Sequence, residues 1–342
     1  MDIKEKIELI KRNTAEIIGE EDLEKLLKTK KQPSVYWGTA PTGKPHIGYL
    51  LPALKISDLL KAGFKVKILI ADLHASLDNV PWIVLEKRYN YYEKIIPELI
   101  KAIGVDVKNL EIVKGSEFQL KPEYMFDVLK MSSFTSVHDA TKAASEVVKN
   151  IEGSSAKLSG LIYPIMQAMD EQYLEVDAQL GGTDQRKIMV LARENLPKLM
   201  YDQRIEIMNP LIPGLIGKKM SSSDKKSKID LLDDRKTVKE KLNNAECISG
   251  DPDNGVMAFL KHVIMIIKHD NKEQLTIKRD KKFGGDLKYK TYEEVEKDFI
   301  NKKLHPLDLK NAVADEISNI LDKIQKNKKL YELAEIAYSE NE

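Results

Sequence analysis

The chain has 342 residues, 42% of them apolar and 32% charged, with 55 basic and 54 acidic side chains and a formal net charge of +1. Disordered chains combine low hydrophobicity with high net charge, so this composition excludes one, and near-neutrality excludes a surface that is basic all over while leaving room for a local phosphate-binding patch. A single cysteine, Cys247, excludes an internal disulfide framework and a zinc site built on several thiolates, and it points to a reducing compartment.

The opening residues, MDIKEKIELIKRN, are charged at almost every other position and do not read as a signal peptide, and no stretch approaches the ~20 apolar residues of a membrane span. A soluble cytoplasmic protein with no membrane partner is expected. Ile3, Ile7, Ile10 and Ile17 fall near helical spacing and predict one amphipathic helix at the N-terminus, within residues 1–30. A strand over residues 35–39 runs into the turn Pro41-Thr42-Gly43-Lys44-Pro45, and a helix opens at His46 with Leu50, Leu54 and Leu59 on roughly one face. A second strand is predicted over 65–71, mostly apolar as a buried parallel strand should be, then a helix over 84–103 and a strand over 110–113.

Residues 118–160 lack clear strands and read as a helical insertion. Strand texture returns at 176–180, followed by Gly181-Gly182 and a helix from Thr183. A last strand, 204–208, precedes a loop rich in Gly, Lys and Ser at 213–228. Beyond about 235 the pattern is largely helical. The alternation predicts an α/β fold, a Rossmann-like doubly wound parallel sheet over residues 31–235, with a mainly helical C-terminal domain over 236–342.

Two segments carry the chemistry. Pro41-Thr42-Gly43-Lys44-Pro45-His46-Ile47-Gly48 lies between a predicted strand and a predicted helix, where ligands of parallel α/β sheets bind. Gly43 permits a sharp turn, Gly48 clears space for a base or ribose, the helix N-terminus attracts phosphate, and His46 can donate to a phosphate oxygen as charge develops. A plain turn with a capping histidine has the same sequence. Downstream, Gly217-Lys218-Lys219-Met220-Ser221-Ser222-Ser223 sits in a stretch with five lysines and two aspartates between 216 and 230, able to surround the phosphates of a nucleotide. A solvated linker has that composition too.

Together, a His-x-Gly segment after the first strand and Lys-Met-Ser-Ser-Ser after the last resemble the paired signatures of class I aminoacyl-tRNA synthetases. Tyr36-Trp37-Gly38-Thr39, Ala71-Asp72-Leu73-His74-Ala75, Tyr163-Pro164-Ile165-Met166-Gln167 with Asp170, and Gly181-Gly182-Thr183-Asp184-Gln185-Arg186-Lys187 resemble the tyrosyl-tRNA synthetases of archaeal and eukaryotic type. So do Lys282-Phe283-Gly284-Gly285-Asp286 and His305-Pro306-Leu307-Asp308-Leu309-Lys310-Asn311, and the similarity covers about residues 5 to 325. Two positions depart from the general class I pattern. Tyr49 stands where the first signature ends in histidine, and Ser222 where the second has lysine. Both variants resemble the eukaryotic branch, and they shift phosphate stabilisation onto His46, Lys219 and backbone donors.

The resemblance implies activation of L-tyrosine by ATP, accompanied by Mg²⁺, and transfer to tRNA(Tyr) by a homodimer that joins through the 118–160 insertion and has no tightly bound cofactor. It assigns Tyr36 and Asp170 to the substrate hydroxyl and Tyr163, Gln167 and Gln185 to its ammonium end. Gly38, Gly43, His46, Gly48, Gly182, Asp184, Lys219 and Met220 fall to ATP, with His46, Lys219 and Ser221 catalytic, and no residue is assigned to a metal. Phe283, His305 and Asp308 surround the first anticodon base, and Arg186 serves the acceptor end. The spacing adds its own support: in a helix, residues 163, 167 and 170 lie at i, i+4 and i+7 on one face.

His74 can line the same pocket or serve as a structural histidine, and Trp37 and Trp82 are expected in the core. Between Asn271 and Lys290 seven basic residues face three acidic ones, a local footprint suited to an RNA backbone. The rival readings are a tryptophanyl-tRNA synthetase, a small nucleotidylyltransferase with a related histidine segment, and a catalytically silent RNA-binding relative. A carboxylate beside a phenol favours a tyrosine hydroxyl over an indole N–H, and the nucleotidylyltransferases lack the long helical C-terminal domain.

Overall fold

The computed structural model describes residues 1–148, 151, 153, 156–214 and 228–339. The N-terminal segment departs from the single helix its isoleucines suggest. Helix α1 (Ile3–Lys11) is started by a capping box between Asp2 and Glu5, and it ends where Asn13 adopts a left-handed conformation at φ 56°. A three-residue strand, β1 (Glu16–Ile18), follows, and Gly19 at φ 84° then turns the chain into α2 (Glu20–Thr29). Ile17 therefore belongs to a strand, opposite Ile207.

The rest of the sheet follows the alternation read from the sequence: β2 (Ser34–Thr39), α3 (Leu50–Lys61), β3 (Lys65–Ile70), α4 (Asp72–Leu77), α5 (Leu85–Ala102) and β4 (Leu110–Lys114). The insertion is helical in α6 (Gly115–Gln119), α7 (Pro122–Phe134) and α8 (Val137–Ala144). Then come α9 (Leu158–Tyr173), β5 (Ala178–Gly182), α10 (Arg186–Asn195) and β6 (Ile205–Asn209). The strand order is β1-β6-β5-β2-β3-β4, parallel throughout except for β1. From β2 the chain builds outward through β3 and β4, then returns to lay β5 and β6 on the other side. That reversal leaves a crevice outside the carboxyl ends of β2 and β5, where open α/β sheets bind ligands.

The sheet separates two cores. Val35, Trp37, Val66, Ile68 and Ile70 pack on the side of α3 and α5, while Tyr36 and Leu69 face Tyr124, Met166 and Met169 of α7 and α9. Trp82, expected in the core, is 67% exposed on a short turn before α5.

The C-terminal part comprises α11 (Arg235–Asn243), α12 (Gly255–Phe259), α13 (Met265–Asp270), a two-stranded hairpin of β7 (Leu275–Ile277) and β8 (Leu287–Tyr289), then α14 (Tyr292–Ile300), α15 (Pro306–Ile324) and α16 (Lys329–Tyr338). The larger core runs on from the sheet into Val238, Phe259, Ile317 and Leu330 without a break. Arg12 ties the two parts by bonding both Asp58 of α3 and Asp270 of α13, and Lys61 adds a 2.9 Å bond to Asp270.

Candidate active site

At the crevice lies a cavity of about 350 Å³, lined by residues from β2, the turn after it, α9 and the β5–α10 junction. Of the residues singled out in the sequence, Tyr36, Gly38, His46, Gly48, Tyr163, Gln167, Asp170, Gly182, Asp184 and Gln185 line this one cavity, and His74 joins them. The 3.6-residue period of α9 aims Tyr163, Gln167 and Asp170 inward from a single face.

At the closed end Asp170 is 1% exposed, and its Oδ1 accepts from Gln119 Nε2 at 2.7 Å and from the Tyr124 hydroxyl at 2.9 Å. Burial raises its carboxyl to about 8, against the downward pull of those two donors. The Tyr36 hydroxyl is buried with no hydrogen-bond partner among the described residues. Burial, with Glu171 and Asp170 close by, keeps its phenol well above the ordinary range. His74 packs edge-on against Tyr163 with ring centroids 4.6 Å apart, and burial lowers it to about 4, so it is neutral at pH 7. Gln167 Nε2 donates to Gln185 Oε1 at 2.9 Å, which fixes both amides toward the middle of the cavity.

Beneath Tyr36 is a layer that the sequence did not suggest. Tyr36, Gln179 and Glu206 stand opposite one another across β2, β5 and β6, on the sheet face that packs against α9. Glu206 and Glu171 of α9 are fully buried, and no carboxylate oxygen of either finds a donor among the described residues. Burial raises both, and the charge of Glu171 raises Glu206 further; Arg204 and Arg193 pull the other way. Gln119 and Tyr124 were also missed.

At the open end His46 caps the turn before α3, with its Nδ1 accepting from the Gly48 N–H at 3.1 Å. Burial, aided by the charge of Lys228, lowers the imidazole to about 3. A neutral ring that accepts at Nδ1 carries its hydrogen on Nε2, so His46 is a donor there. A Cβ on Gly181 would come within 2.5 Å of Met189 Cε, and one on Gly182 within 2.5 Å of Asp184 Oδ1, so side chains there would crowd the floor. Gly43 lies one residue beyond the lining, its carbonyl bonded to Tyr92. Lys219, Met220 and Ser221 fall outside the described residues. Immediately after that segment Ile229 and Leu231 form a short ladder with Ile47 and Pro45, 2.9 and 3.2 Å long.

The remaining assigned residues lie elsewhere. Arg186 turns from the cavity to a two-bond pair with Glu16, at 2.8 and 3.0 Å. Phe283 is 64% exposed in the β7–β8 loop. Arg279 fastens that loop, bonding the carbonyls of Gly285 at 2.9 Å and Lys303 at 3.1 Å, and so holds it near the start of α15. There His305 caps the helix through Leu307 N–H at 3.1 Å, and Asp308 occupies the first turn.

Comparisons with known proteins place the chain in a family. The family model for class I tRNA synthetases (W and Y) matches residues 28–322. The cytoplasmic tyrosine–tRNA ligase of Danio rerio is 51% identical over 98% of the chain and 63% of its own length. That of Saccharomyces cerevisiae is 45% identical over 99% of the chain and 89% of its length. The crystal structure of tyrosyl-tRNA synthetase from Archaeoglobus fulgidus complexed with L-tyrosine superposes with a TM-score of 0.87 at 38% identity, covering 95% of this chain and 99% of that one. The chain spans about three fifths of the length of the vertebrate relatives it matches. With its fold and nearly all of its length matched, the chain belongs to the tyrosine and tryptophan family of class I tRNA synthetases, on its tyrosyl branch.

Proposed function

We propose that the protein activates L-tyrosine with ATP and transfers the tyrosyl group to tRNA(Tyr). The observation that carries this reading is the closed end of the cavity, where a Tyr36 hydroxyl without a partner among the described residues and the Asp170 carboxyl stand ready for a ligand that both donates and accepts one hydrogen bond. The L-tyrosine bound by the Archaeoglobus relative supports the same choice. Tyr163, Gln167 and Gln185 meet the ammonium group, and the carboxylate is left facing the His46 end.

In the first step a tyrosine carboxylate oxygen bonds to the α-phosphorus of MgATP, and the bond to the bridging oxygen breaks, releasing pyrophosphate. The carboxylate is already ionised at pH 7, so no strong base is needed. Positioning and charge stabilisation carry the rate: His46 donates from Nε2 and the Lys219 ammonium meets the departing phosphates. Ser221 and Met220 accompany it, Gly38, Gly43, Gly48 and Gly182 let the nucleotide approach the backbone, and Asp184 accepts from its ribose. In the second step a hydroxyl of the terminal tRNA ribose attacks the tyrosyl carbonyl, and AMP leaves.

The same reading assigns Arg186 to the acceptor end and Phe283, His305 and Asp308 to the anticodon, with residue 235 dividing a catalytic unit from an anticodon-binding one. It makes the protein a homodimer, supported by the exposed Phe126, Leu129 and Val137 of the insertion, a run of apolar surface that a monomer would leave wet. It places the enzyme in the cytoplasm, as its Danio and Saccharomyces relatives are named, and among the described residues no helix is long and apolar enough to cross a membrane. Tyrosine-dependent exchange of pyrophosphate into ATP tests the reading. Exchange with tryptophan instead, or none with either, overturns it.

A further inference from the structure

The first signature segment ends in Tyr49, and its surroundings fix the direction of every hydrogen in a four-membered chain. The Tyr92 hydroxyl bonds the Gly43 carbonyl at 2.5 Å, Tyr49 and Tyr92 oxygens are 3.3 Å apart, and Tyr49 and Thr39 oxygens are 3.1 Å apart. A carbonyl only accepts, so Tyr92 is the donor to Gly43. Its single hydrogen is then committed, and the bond to Tyr49 requires the Tyr49 hydrogen. The bond from Tyr49 to Thr39 in turn requires the Thr39 hydrogen. The order Thr39 to Tyr49 to Tyr92 to Gly43 leaves the Tyr49 phenol with no hydrogen to offer a phosphate.

Both ends of the chain are parts of the nucleotide site. Thr39 closes β2 and lines the cavity, and Gly43 lies in the turn between Thr42 and His46. The rings are held as well: Tyr49 packs edge-on against Trp37 at 5.8 Å, His46 at 5.3 Å and Tyr92 at 6.3 Å. One helical turn before Tyr92, Arg88 donates to the Thr42 carbonyl at 2.5 Å, so α5 grips two successive carbonyls of the turn from behind.

We infer that Tyr92, which does not line the cavity, is a positioning residue for the ATP-binding turn, which it holds by its bond to the Gly43 carbonyl, and that the Tyr49 hydroxyl behind it is spent on this scaffold and makes no phosphate contact. The inference rests on the ATP reading above. Tyr92→Phe in the full chain removes the bond to Gly43 and the acceptor for Tyr49. One or two neutral hydrogen bonds correspond to about a 3- to 10-fold effect. We expect KM for ATP to rise by about that factor in pyrophosphate exchange, with kcat within about twofold and tyrosine affinity, from equilibrium dialysis, unchanged.

Tyr49→Phe keeps the Tyr92–Gly43 bond and should raise KM for ATP by less, and the double variant should match Tyr92→Phe within about twofold, because the bond the two share is already broken there. Thr39→Val removes the donor to Tyr49 and should raise KM for ATP in the same direction, which keeps the test open if a tyrosine variant folds poorly. The inference is overturned if Tyr49→Phe lowers kcat about 100-fold while Tyr92→Phe changes nothing, if the two effects multiply, if tyrosine affinity falls in step with that for ATP, or if no variant differs from wild type. An inactive wild type overturns the ATP reading itself, and this inference with it.

Discussion

At the closed end of the cavity Asp170 is 1% exposed and holds two donors on one oxygen, whereas Phe283, in the β7–β8 loop, is 64% exposed, with the Lys282 ammonium 4.9 Å from its ring centre. In the proposed function the two regions face different ligands. A small amino acid is surrounded, so each polar group around it is out of water and must be satisfied by the right ligand. An RNA base is met at the surface, where a lost partner is replaced by solvent. Removing a group should therefore cost far more in the cavity than at the tip, because an orphaned buried donor keeps its desolvation penalty and an exposed one does not.

The largest expected effect is at Asp170. Asp170→Ala leaves the Tyr124 hydroxyl with the Met166 carbonyl and the Gln119 amide with His74 at 3.4 Å, and it removes the proposed partner of the substrate hydroxyl. Tyrosyl-tRNA synthetases in general prefer tyrosine over phenylalanine by about 10⁵, and that general magnitude is borrowed for this pocket. The preference should fall by at least about 100-fold, measured as activation kinetics with both amino acids. An unchanged ratio would separate burial from specificity and break the contrast with the tip.

Lys219→Ala comes next. Removing the charge proposed to meet the departing pyrophosphate should slow single-turnover adenylate formation by about 100-fold, in line with the loss of one transition-state donor. Tyrosine affinity should stay constant, and Lys218 can blunt the loss. Equal losses in affinity and rate would contradict the role.

At the exposed end, Asp308→Ala should weaken charging of tRNA with guanine as the first anticodon base by roughly 10-fold, the scale of a hydrogen bond to a charged group. Stacking on Phe283 tolerates any base and should retain part of the affinity, and adenylate formation should be untouched. Transcripts differing only at that base, assayed with both enzymes, decide it. Identical base preferences would remove Asp308 from recognition.

The contrast also explains what the sequence could reveal. Strands such as β3 are legible to within a residue because a buried parallel strand is a run of apolar residues, and Tyr163, Gln167 and Asp170 are legible because one helix carries all three. Gln119 and Tyr124 reach Asp170 from 51 and 46 residues away, and no local period records that. Glu171 and Glu206 look like surface acids until β6 and α9 are brought together. Ile17 fits a helical period and a strand equally well, and only the left-handed Asn13 and Gly19 decide for the strand. The hairpin strands β7 and β8 have three residues each, too short for alternation to register. Trp82 is expected inside because tryptophan usually is, and the short turn after Pro81 carries it outward.

The last effect expected is on stability, at the acidic layer beneath Tyr36. Two carboxyls side by side in a dry site cannot both ionise cheaply, and neither Glu171 nor Glu206 finds a donor among the described residues. Both sit above the 4.5 of an ordinary glutamate, chiefly through burial, so the native state keeps a proton that the unfolded chain has released. Stability from this layer is therefore full below about pH 4.5 and is lost as pH rises toward the folded-state values. Asp170, raised from 3.8 to about 8, adds a slope of the same sign. Glu206→Gln replaces one acid by an amide that carries the missing donors, and it also relieves Glu171 of its like-charged neighbour. Relative to wild type, the variant should gain up to about 1 kcal/mol per pH unit as pH rises from 5 to 8, since one proton released on unfolding changes stability by ~1.4 kcal/mol for each pH unit. Urea unfolding at pH 5, 6.5 and 8 measures the difference. If the two proteins lose stability in parallel, the pair is already fully ionised, and the cavity floor is less protected from water than its burial implies.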